Sequence, residues 1–174
     1  MRGKKVFLRP PKVEDSAEYI QLAKQSEKFH RGLIKMAKTQ KDFNAFLERS
    51  VKEENECFLV CRTQDKAIVG MINLSQIIRG VFQNAYLGYG LGVKFTGKGL
   101  MTEAVELILR FAFKDLKLHR IEANVQPDNA ASINVLKRTG FTKEGFSPKY
   151  LKVGGRWRDH ERWAIIAEDW RKGK

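Results

Sequence analysis

The chain has 174 residues, 43% hydrophobic and 30% charged, a balance that supports a packed core and excludes a disordered chain. Its 33 Lys and Arg residues exceed its 20 Asp and Glu residues, and the formal net charge of +13 favours anionic partners. The two cysteines cannot form a disulfide scaffold, no apolar run is long enough to span a bilayer, and no motif spacing indicates sequence-specific DNA binding. We therefore expect one cytoplasmic domain over residues 1–174 with no membrane partner.

The N-terminal part of the chain predicts one short strand and two helices. The strand covers residues 5–9 and ends at two prolines, which lack backbone donors. Residues 14–28 show helical periodicity, and a second helix begins near Thr39, where residues 39–42 fit a capping box. The expected apolar stripes contain Ala17, Ile20, Leu22, Ala23 and Phe29 in the first helix, and Phe43, Phe46, Leu47 and Val51 in the second.

The middle of the chain switches to the pattern of a sheet. Apolar runs at residues 57–61 and 67–72 predict a β-hairpin, which places Cys57 and Cys61 on one face of a strand. Residues 84–93 form a third sheet segment rich in Tyr, Leu and Gly. The strongest helical pattern follows at residues 100–116.

The C-terminal part predicts a strand at 121–125, a helix at 130–139 closed by Gly140, and two strands at 143–153 and 157–166. The paired glycines 154–155 predict the turn between the last two strands. The order β, α, α, β, β, β, α, β, α, β, β indicates an α+β or mixed α/β layer with one right-handed crossover around the long helix.

A glycine-rich loop at residues 92–104 lies between a predicted strand and the start of the strongest helix. Glycine permits positive φ, and a helix N-terminus offers unpaired N–H groups with partial positive charge. Together these features predict a phosphate-binding loop. The alternative is a helix-entry loop whose glycines serve only the turn.

The loop does not fit the common nucleotide-binding motifs. It is one residue short of a Walker A loop, and Gly99 stands where Ser or Thr would ligate Mg²⁺. The strand at 121–125 ends without the Asp that would complete such a site, so an NTPase is excluded. Gly88, Gly90 and Gly92 alternate instead of following the Rossmann spacing.

Residues 96–104 and residues 129–141 form two blocks that together resemble the GNAT acyltransferases, especially the RimJ/RimL branch of protein N-terminal acetyltransferases. Residues 96–104 (TGKGLMTEA) resemble the acetyl-CoA pyrophosphate loop, and residues 129–141 (NAASINVLKRTGF) resemble a second block of that branch. Shorter matches lie at residues 8–10, 141–145 and 157–159. The resemblance implies a strongly twisted mixed sheet flanked by helices, and acetyl-CoA as the co-substrate.

The resemblance also implies a location for each part of acetyl-CoA. The pantetheine arm would lie between two diverging parallel strands, beside a bulge at residues 88–90, and would pair like a strand with backbone groups near Leu91, Gly92 and Val93. Asn129 would hydrogen-bond the arm. Asn129 also suits helix N-capping. Lys94 or Lys98 would meet the adenosine 3′-phosphate. The implied cofactor-binding residues are Leu91, Gly92, Val93, Gly97, Lys98, Gly99, Leu100, Met101, Thr102, Asn129 and Ser132.

The implied reaction is direct attack of an amine on the thioester carbonyl. A backbone donor at Leu91 would stabilise the oxyanion, and Ser132 would protonate the leaving thiolate. Many relatives carry a general-acid Tyr where this chain has Leu136, so another acid is needed; Tyr86, Tyr89 and Tyr150 match only by residue type. Glu144 is the candidate base, with Glu103 and Glu122 as alternatives, and each of the three also suits an ion pair. His30 and His160 have no partner at metal-ligand spacing, so no metal is expected.

Three functions follow from these observations. The first is acetylation of a protein or peptide N-terminal α-amine, of a ribosomal protein in particular, because an α-amine has a pKa of about 8, against about 10.4 for Lys, and needs little base. The second is acetylation of a small amine such as a polyamine or an aminoglycoside, which a basic protein would repel. The third is a CoA-binding or RNA-binding module without catalysis. A homodimer through Trp157 or Trp163 is a further expectation.

Overall fold

One seven-stranded sheet with helices on both faces forms the fold, and the computed structural model describes residues 1–173. The elements are β1 (Val6–Arg9), α1 (Ser16–Gln25), α2 (Glu27–His30), α3 (Gln40–Ser50), β2 (Glu56–Arg62), β3 (Ile68–Ile78), β4 (Asn84–Leu91), α4 (Leu100–Arg110), β5 (Arg120–Val125), α5 (Ala130–Arg138), β6 (Thr142–Val153), β7 (Arg156–Ile166) and α6 (Ala167–Lys172).

The sheet is mixed, as the sequence predicts. Its strand order is β1-β2-β3-β4-β5-β7-β6, and only β4 and β5 run parallel. Parallel neighbours need a crossover, which α4 supplies. The final hairpin turns at Gly154 and Gly155, both with positive φ.

The parallel strands β4 and β5 separate after three residue pairs. Asn84 pairs with Arg120, and the ladder ends where Tyr86 pairs with Glu122. Both strands continue beyond that point without pairing to each other. The sheet therefore has an opening between β4 and β5, as expected from the family resemblance.

Two apolar clusters fill the faces of the sheet. The α4 residues Ala104, Val105 and Ile108 are fully buried in the larger cluster, which also includes Leu136 of α5. The smaller cluster holds Tyr19 and other side chains of α1 and α3. Both cysteines are buried there as free thiols. The expected dimer contact stays a prediction that rests on Trp157, which is exposed, because Trp163 is buried.

The helix predicted over residues 14–28 is broken at Ser26. The Ser26 Oγ donates to Leu22 O at 2.8 Å and accepts the Val93 N–H at 3.1 Å, so this side chain is bonded to a loop far along the chain. After the break, α2 turns Phe29 towards solvent, with 44% of its surface exposed, which corrects the prediction of a core position. Val51 lies beyond the end of α3 and is also exposed.

The end of the long helix and the end of β3 differ from the prediction, and one helix was not predicted. The helix predicted to reach Leu116 changes at Phe111–Asp115 into a π-helical turn, in which Leu116 N–H donates to Phe111 O. β3 extends to Ile78. The sequence analysis missed α6, although two acidic residues in its first turn and the buried pair Ala167 and Trp170, three residues apart, are helical signals.

The bulge predicted at residues 88–90 is wrong. The β3–β4 register is one-to-one from Gly70–Leu91 to Ser75–Tyr86, and the irregularity follows Ser75. The glycines permit close approach instead, because a Cβ at Gly70 would lie 2.3 Å from Gly90 O.

Candidate active site

The opening between β4 and β5 leads into a cavity of about 450 Å³. Its walls come from β4, the loop before α4, the start of α5, the segment after α2, and β7. The cavity therefore lies where the carboxyl ends of two parallel strands meet a helix N-terminus, a common location for ligand sites in such sheets.

The phosphate-binding end of the cavity is formed by the predicted glycine loop. Gly97 and Gly99 have φ values of +74° and +73°, a conformation that disfavours other residues. Gly99 caps α4, and the first-turn residues Leu100, Met101 and Thr102 line the cavity. The first N–H groups of a helix have no partner within it, so this turn can hold the negative charge of a pyrophosphate.

A lysine that the sequence analysis missed lies over this loop. Lys5 Nζ donates to Lys98 O at 3.3 Å and is 3.4 Å from the position of a Cβ at Gly99. The Lys98 ammonium instead donates to Lys94 O at 3.2 Å, and Lys98 does not line the cavity. Glu103 Oε2 accepts the Lys5 N–H at 2.8 Å, which fixes the segment before β1 on α4. No local pattern could reveal this contact, because the two residues lie 98 positions apart.

Two of the three backbone positions predicted to pair with pantetheine are bonded elsewhere. Gly92 N–H donates to Val69 O at 2.8 Å, and Val93 N–H donates to Ser26 Oγ at 3.1 Å. Successive residues of a strand direct their polar groups to opposite sides, so the backbone of Leu91 faces the opening. Gly92 and Val93 therefore have no free N–H for the predicted pairing, whereas the N–H of Leu91 and the backbone of Tyr89, which has the same orientation, stay candidates.

His30 holds the end of β4 from the other side of the opening. Its Nε2–H donates to Leu91 O at 2.8 Å, because a carbonyl can only accept. Burial lowers the pKa of His30 below the usual value, so the ring is neutral and Nδ1 carries its lone pair.

This burial predicts an acid limit to stability. As the pH falls below about 6.5, the unfolded chain binds a proton that native His30 resists, so the free energy of unfolding should decrease. His30→Gln keeps an N–H donor without titrating, and we expect a flatter slope of stability against pH between 5.5 and 7.5 in urea unfolding. His119→Gln, at an exposed imidazole 3.2 Å from Glu168, is the matched variant that measures the effect of the same replacement outside the cavity. An unchanged slope in His30→Gln would contradict the prediction.

Ser132 lies against a tyrosine hydroxyl in the cavity. The Tyr89 Oη and Ser132 Oγ atoms are 2.7 Å apart, and burial raises the pKa of Tyr89 to about 12. The Tyr89 side chain is therefore protonated and can donate. Leu136 is fully buried and does not line the cavity, so the hydroxyl beside Ser132 comes from Tyr89 of β4. Asn129 Oδ1 accepts the Ser132 N–H at 3.2 Å, which establishes the capping role weighed for Asn129.

Glu144 lies outside the cavity lining. It forms an ion pair with Arg120 through two hydrogen bonds, which lowers its pKa. Glu122 bonds the same Arg120 and the Asn84 side chain. The structure therefore brings Ser132 and Leu91 to the cavity and leaves Glu144 in the ion-pair role that was its alternative. No carboxylate lines the cavity within the described residues.

Polar residues on or next to β5 and β7 line the cavity. The sequence did not predict these residues as part of the site. His160 is buried, and its Nδ1–H donates to Arg158 O at 2.9 Å. Gln126 Nε2 donates to Gly32 O at 2.6 Å, which holds the segment after α2. Asn124 completes this group. Alternation along β5 and β7 could have indicated one shared face, but not that it meets the cavity.

Within the described residues, neither a metal-binding cluster nor a membrane-spanning helix is found. Among residues 1–173, no group of three or more His, Cys, Asp or Glu side chains could hold a metal ion. In the same part of the chain, no helix is long and apolar enough to cross a membrane.

The fold and the cavity define an acyl-CoA-dependent transferase. Residues 5–142 match the family model described as an acetyltransferase (GNAT) domain, and the chain belongs to this family. It is an N-acetyltransferase that uses acetyl-CoA, which removes the non-enzymatic alternative. The glycine turn at the start of α4 and the unpaired edge of β4 fit the pyrophosphate and the pantetheine amides respectively.

Particular relatives narrow the branch. YjcK of Bacillus subtilis, named a probable N-acetyltransferase, is 38% identical over 177 residues, covering 97% of this chain and 98% of that protein. The ribosomal protein uS5-alanine N-acetyltransferase of Escherichia coli is 44% identical over 110 residues, covering 63% of this chain and 57% of that protein. RimJ of Mycobacterium smegmatis, solved in complex with CoA-disulfide, has a TM-score of 0.87 at 29% identity, covering 94% of this chain and 82% of that one. The predicted RimJ/RimL resemblance is confirmed.

Proposed function

We propose that the enzyme acetylates the N-terminal α-amine of a protein or peptide, with ribosomal proteins as the leading class. The observation that carries this proposal is the lining of the cavity, which contains no carboxylate among the described residues; its one permanently charged side chain is Arg138. A polyamine needs anionic partners for its several ammonium groups, whereas a peptide N-terminus carries one amine and neutral amides.

The named relatives support the same acceptor. The uS5-alanine enzyme of Escherichia coli acts on a ribosomal protein and is 44% identical over the matched region. The spermidine N(1)-acetyltransferase of Vibrio cholerae is only 23% identical over 118 residues. The net charge of +13 would also attract the enzyme to substrates bound to polyanionic RNA.

The amine attacks the thioester carbonyl, the new N–C bond forms, and the C–S bond breaks. In this proposal the Leu91 N–H donates to the carbonyl oxygen as negative charge develops, and Tyr89, bonded to Ser132, supplies the proton to the leaving thiolate. An α-amine with a pKa of about 8 is partly neutral at working pH, so it needs little help from a base. The attacking amine gives up its proton within the cavity, whose lining includes the imidazoles of His30 and His160.

The proposed cofactor contacts follow the same geometry. The amides of Gly97, Gly99 and the first turn of α4 hold the pyrophosphate, and Lys5 adds a positive charge beside them. The cap at α5 uses Oδ1 of Asn129, so its Nδ2 is the group we propose for the pantetheine arm.

A panel of acceptors tests the proposal by thiol release. We expect turnover of a short peptide with N-terminal Ala, none of the same peptide with a blocked α-amine, and at least a 10-fold lower kcat/KM for spermidine, on the scale of one lost charge-compensating contact. Mass spectrometry of the product should locate acetyl on the α-amine. Preferential acetylation of spermidine, or of a Lys side chain in the blocked peptide, would overturn the assignment.

A further inference from the structure

Asn124 has a buried atom without a partner at the edge of the cavity. Its side-chain Oδ1 is buried and meets no hydrogen-bond donor within the described residues. Asn124 lines both the main cavity and an adjacent depression of about 290 Å³, which also involves Tyr86 and Tyr150. Buried acceptors in folded proteins are almost always satisfied, so an unpaired one at the junction of two cavities indicates a donor that arrives with a ligand.

The location of Asn124 indicates which ligand brings the donor. Its neighbours Ala123 and Val125 face the core that contains α4 and α5, so alternation places Asn124 on the opposite face of the sheet. That face is the one packed by α1 and α3, whereas the first turn of α4 and the core side of α5 lie on the other. A group that reaches Oδ1 from the depression therefore enters from the side opposite to the cofactor loop.

We infer that Asn124 Oδ1 accepts a hydrogen bond from the first peptide N–H of the acceptor and so selects peptides over simple amines. This inference rests on the proposed function. The depression beside Asn124 continues past the aromatic rings of Tyr86 and Tyr150, which offer a surface for the residues that follow the N-terminal one. A primary amine without a peptide bond gains no hydrogen bond there.

A chemical double-mutant cycle isolates this contact. The two acceptors are a peptide with N-terminal Ala and its analogue in which an ester oxygen replaces the first peptide N–H. For the native enzyme we expect kcat/KM to fall about 10-fold from the peptide to the ester, the scale of one hydrogen bond to a buried acceptor. For Asn124→Leu, we expect kcat/KM with the peptide to be about 10-fold below that of the native enzyme. With the ester, we expect the variant and the native enzyme to have the same kcat/KM.

Stability separates a binding role from a structural one. Asn124→Leu removes an unsatisfied buried oxygen, so Tm should be unchanged or higher and the Kd for acetyl-CoA unchanged. Thr63→Val is the matched control, because Thr63 Oγ1 is also buried without a partner but lies outside both cavities. It should change neither acceptor preference nor kcat/KM.

The outcomes distinguish the role of Asn124 from the proposed class of acceptor. If Asn124→Leu lowers kcat/KM equally for the peptide and the ester, or if it lowers both Tm and the affinity for acetyl-CoA, the role of Asn124 is structural. This inference then fails, and the proposed function still stands. If the native enzyme prefers amines without a peptide bond, the proposed function fails, and this inference fails with it because the required N–H is absent.

Discussion

Gly99→Val should abolish detectable acetyl-CoA binding at concentrations that saturate the native enzyme, a loss on the order of 100-fold or more. Gly99 has a φ of +73°, where a β-branched residue is strained by about 1–3 kcal/mol. Its Cβ would also lie 3.4 Å from Lys5 Nζ, so a bulky side chain would crowd the lysine proposed to lie beside the pyrophosphate. Isothermal titration calorimetry with acetyl-CoA, beside ATP·Mg²⁺ as a control ligand, measures the effect.

The same backbone strain can be tested far from the site. Gly154 has a φ of +58° in the β6–β7 turn, with open space around it, so Gly154→Val is a control for strain alone. It should lower Tm and leave the affinity for acetyl-CoA within twofold. Equal losses of affinity in both variants would mean that Gly99 acts only through folding, and native-like affinity in Gly99→Val would remove the loop from the site.

Tyr89→Phe should lower kcat about 100-fold or more, with little change in the Kd for acetyl-CoA, because it removes the hydroxyl proposed to protonate the leaving thiolate. Ser132→Ala should produce a similar loss, since its Oγ is 2.7 Å from Tyr89 Oη. If the two hydroxyls act as one unit, the double variant is hardly slower than either single one. Steady-state kinetics with the Ala peptide measure all three variants.

Glu144→Gln is the control for the Tyr89 and Ser132 variants, because it changes an acidic residue that lies outside the cavity. The Glu144 carboxylate pairs with Arg120 and does not line the cavity, so kcat should stay within twofold. A large loss of kcat in Glu144→Gln with a native rate in Tyr89→Phe would reverse the assignment of roles.

Local sequence signals predicted much of the fold. The capping box at Thr39 predicts the start of α3, and its Oγ accepts the Asp42 N–H as expected. The apolar stripe of α4 and the glycines before it likewise act over a few residues, so the phosphate-binding turn could be recognised from sequence. The predicted family resemblance rested on two such local blocks.

Long-range contacts determined what the sequence did not reveal. Ser26 ends α1 partly because its Oγ binds the Val93 N–H, and Lys5 reaches Lys98 across the fold. The proximity of Tyr89 and Ser132 depends on how α5 packs over β4, which no spacing encodes. That the whole chain forms one domain stays a prediction.

The separation of β4 from β5 links substrate binding to conformational stability. Beyond Tyr86 and Glu122 the two strands lack each other as hydrogen-bond partners, so an amide-bearing arm seated there would complete the sheet. Because acetyl-CoA would bind only the native state, it would increase the free energy of unfolding, by about 2.7 kcal/mol at a ligand concentration 100 times Kd. The stability of this enzyme in a cell would thus depend on the concentration of acetyl-CoA. At a low acetyl-CoA concentration, the enzyme would unfold and be degraded more easily than at a high one.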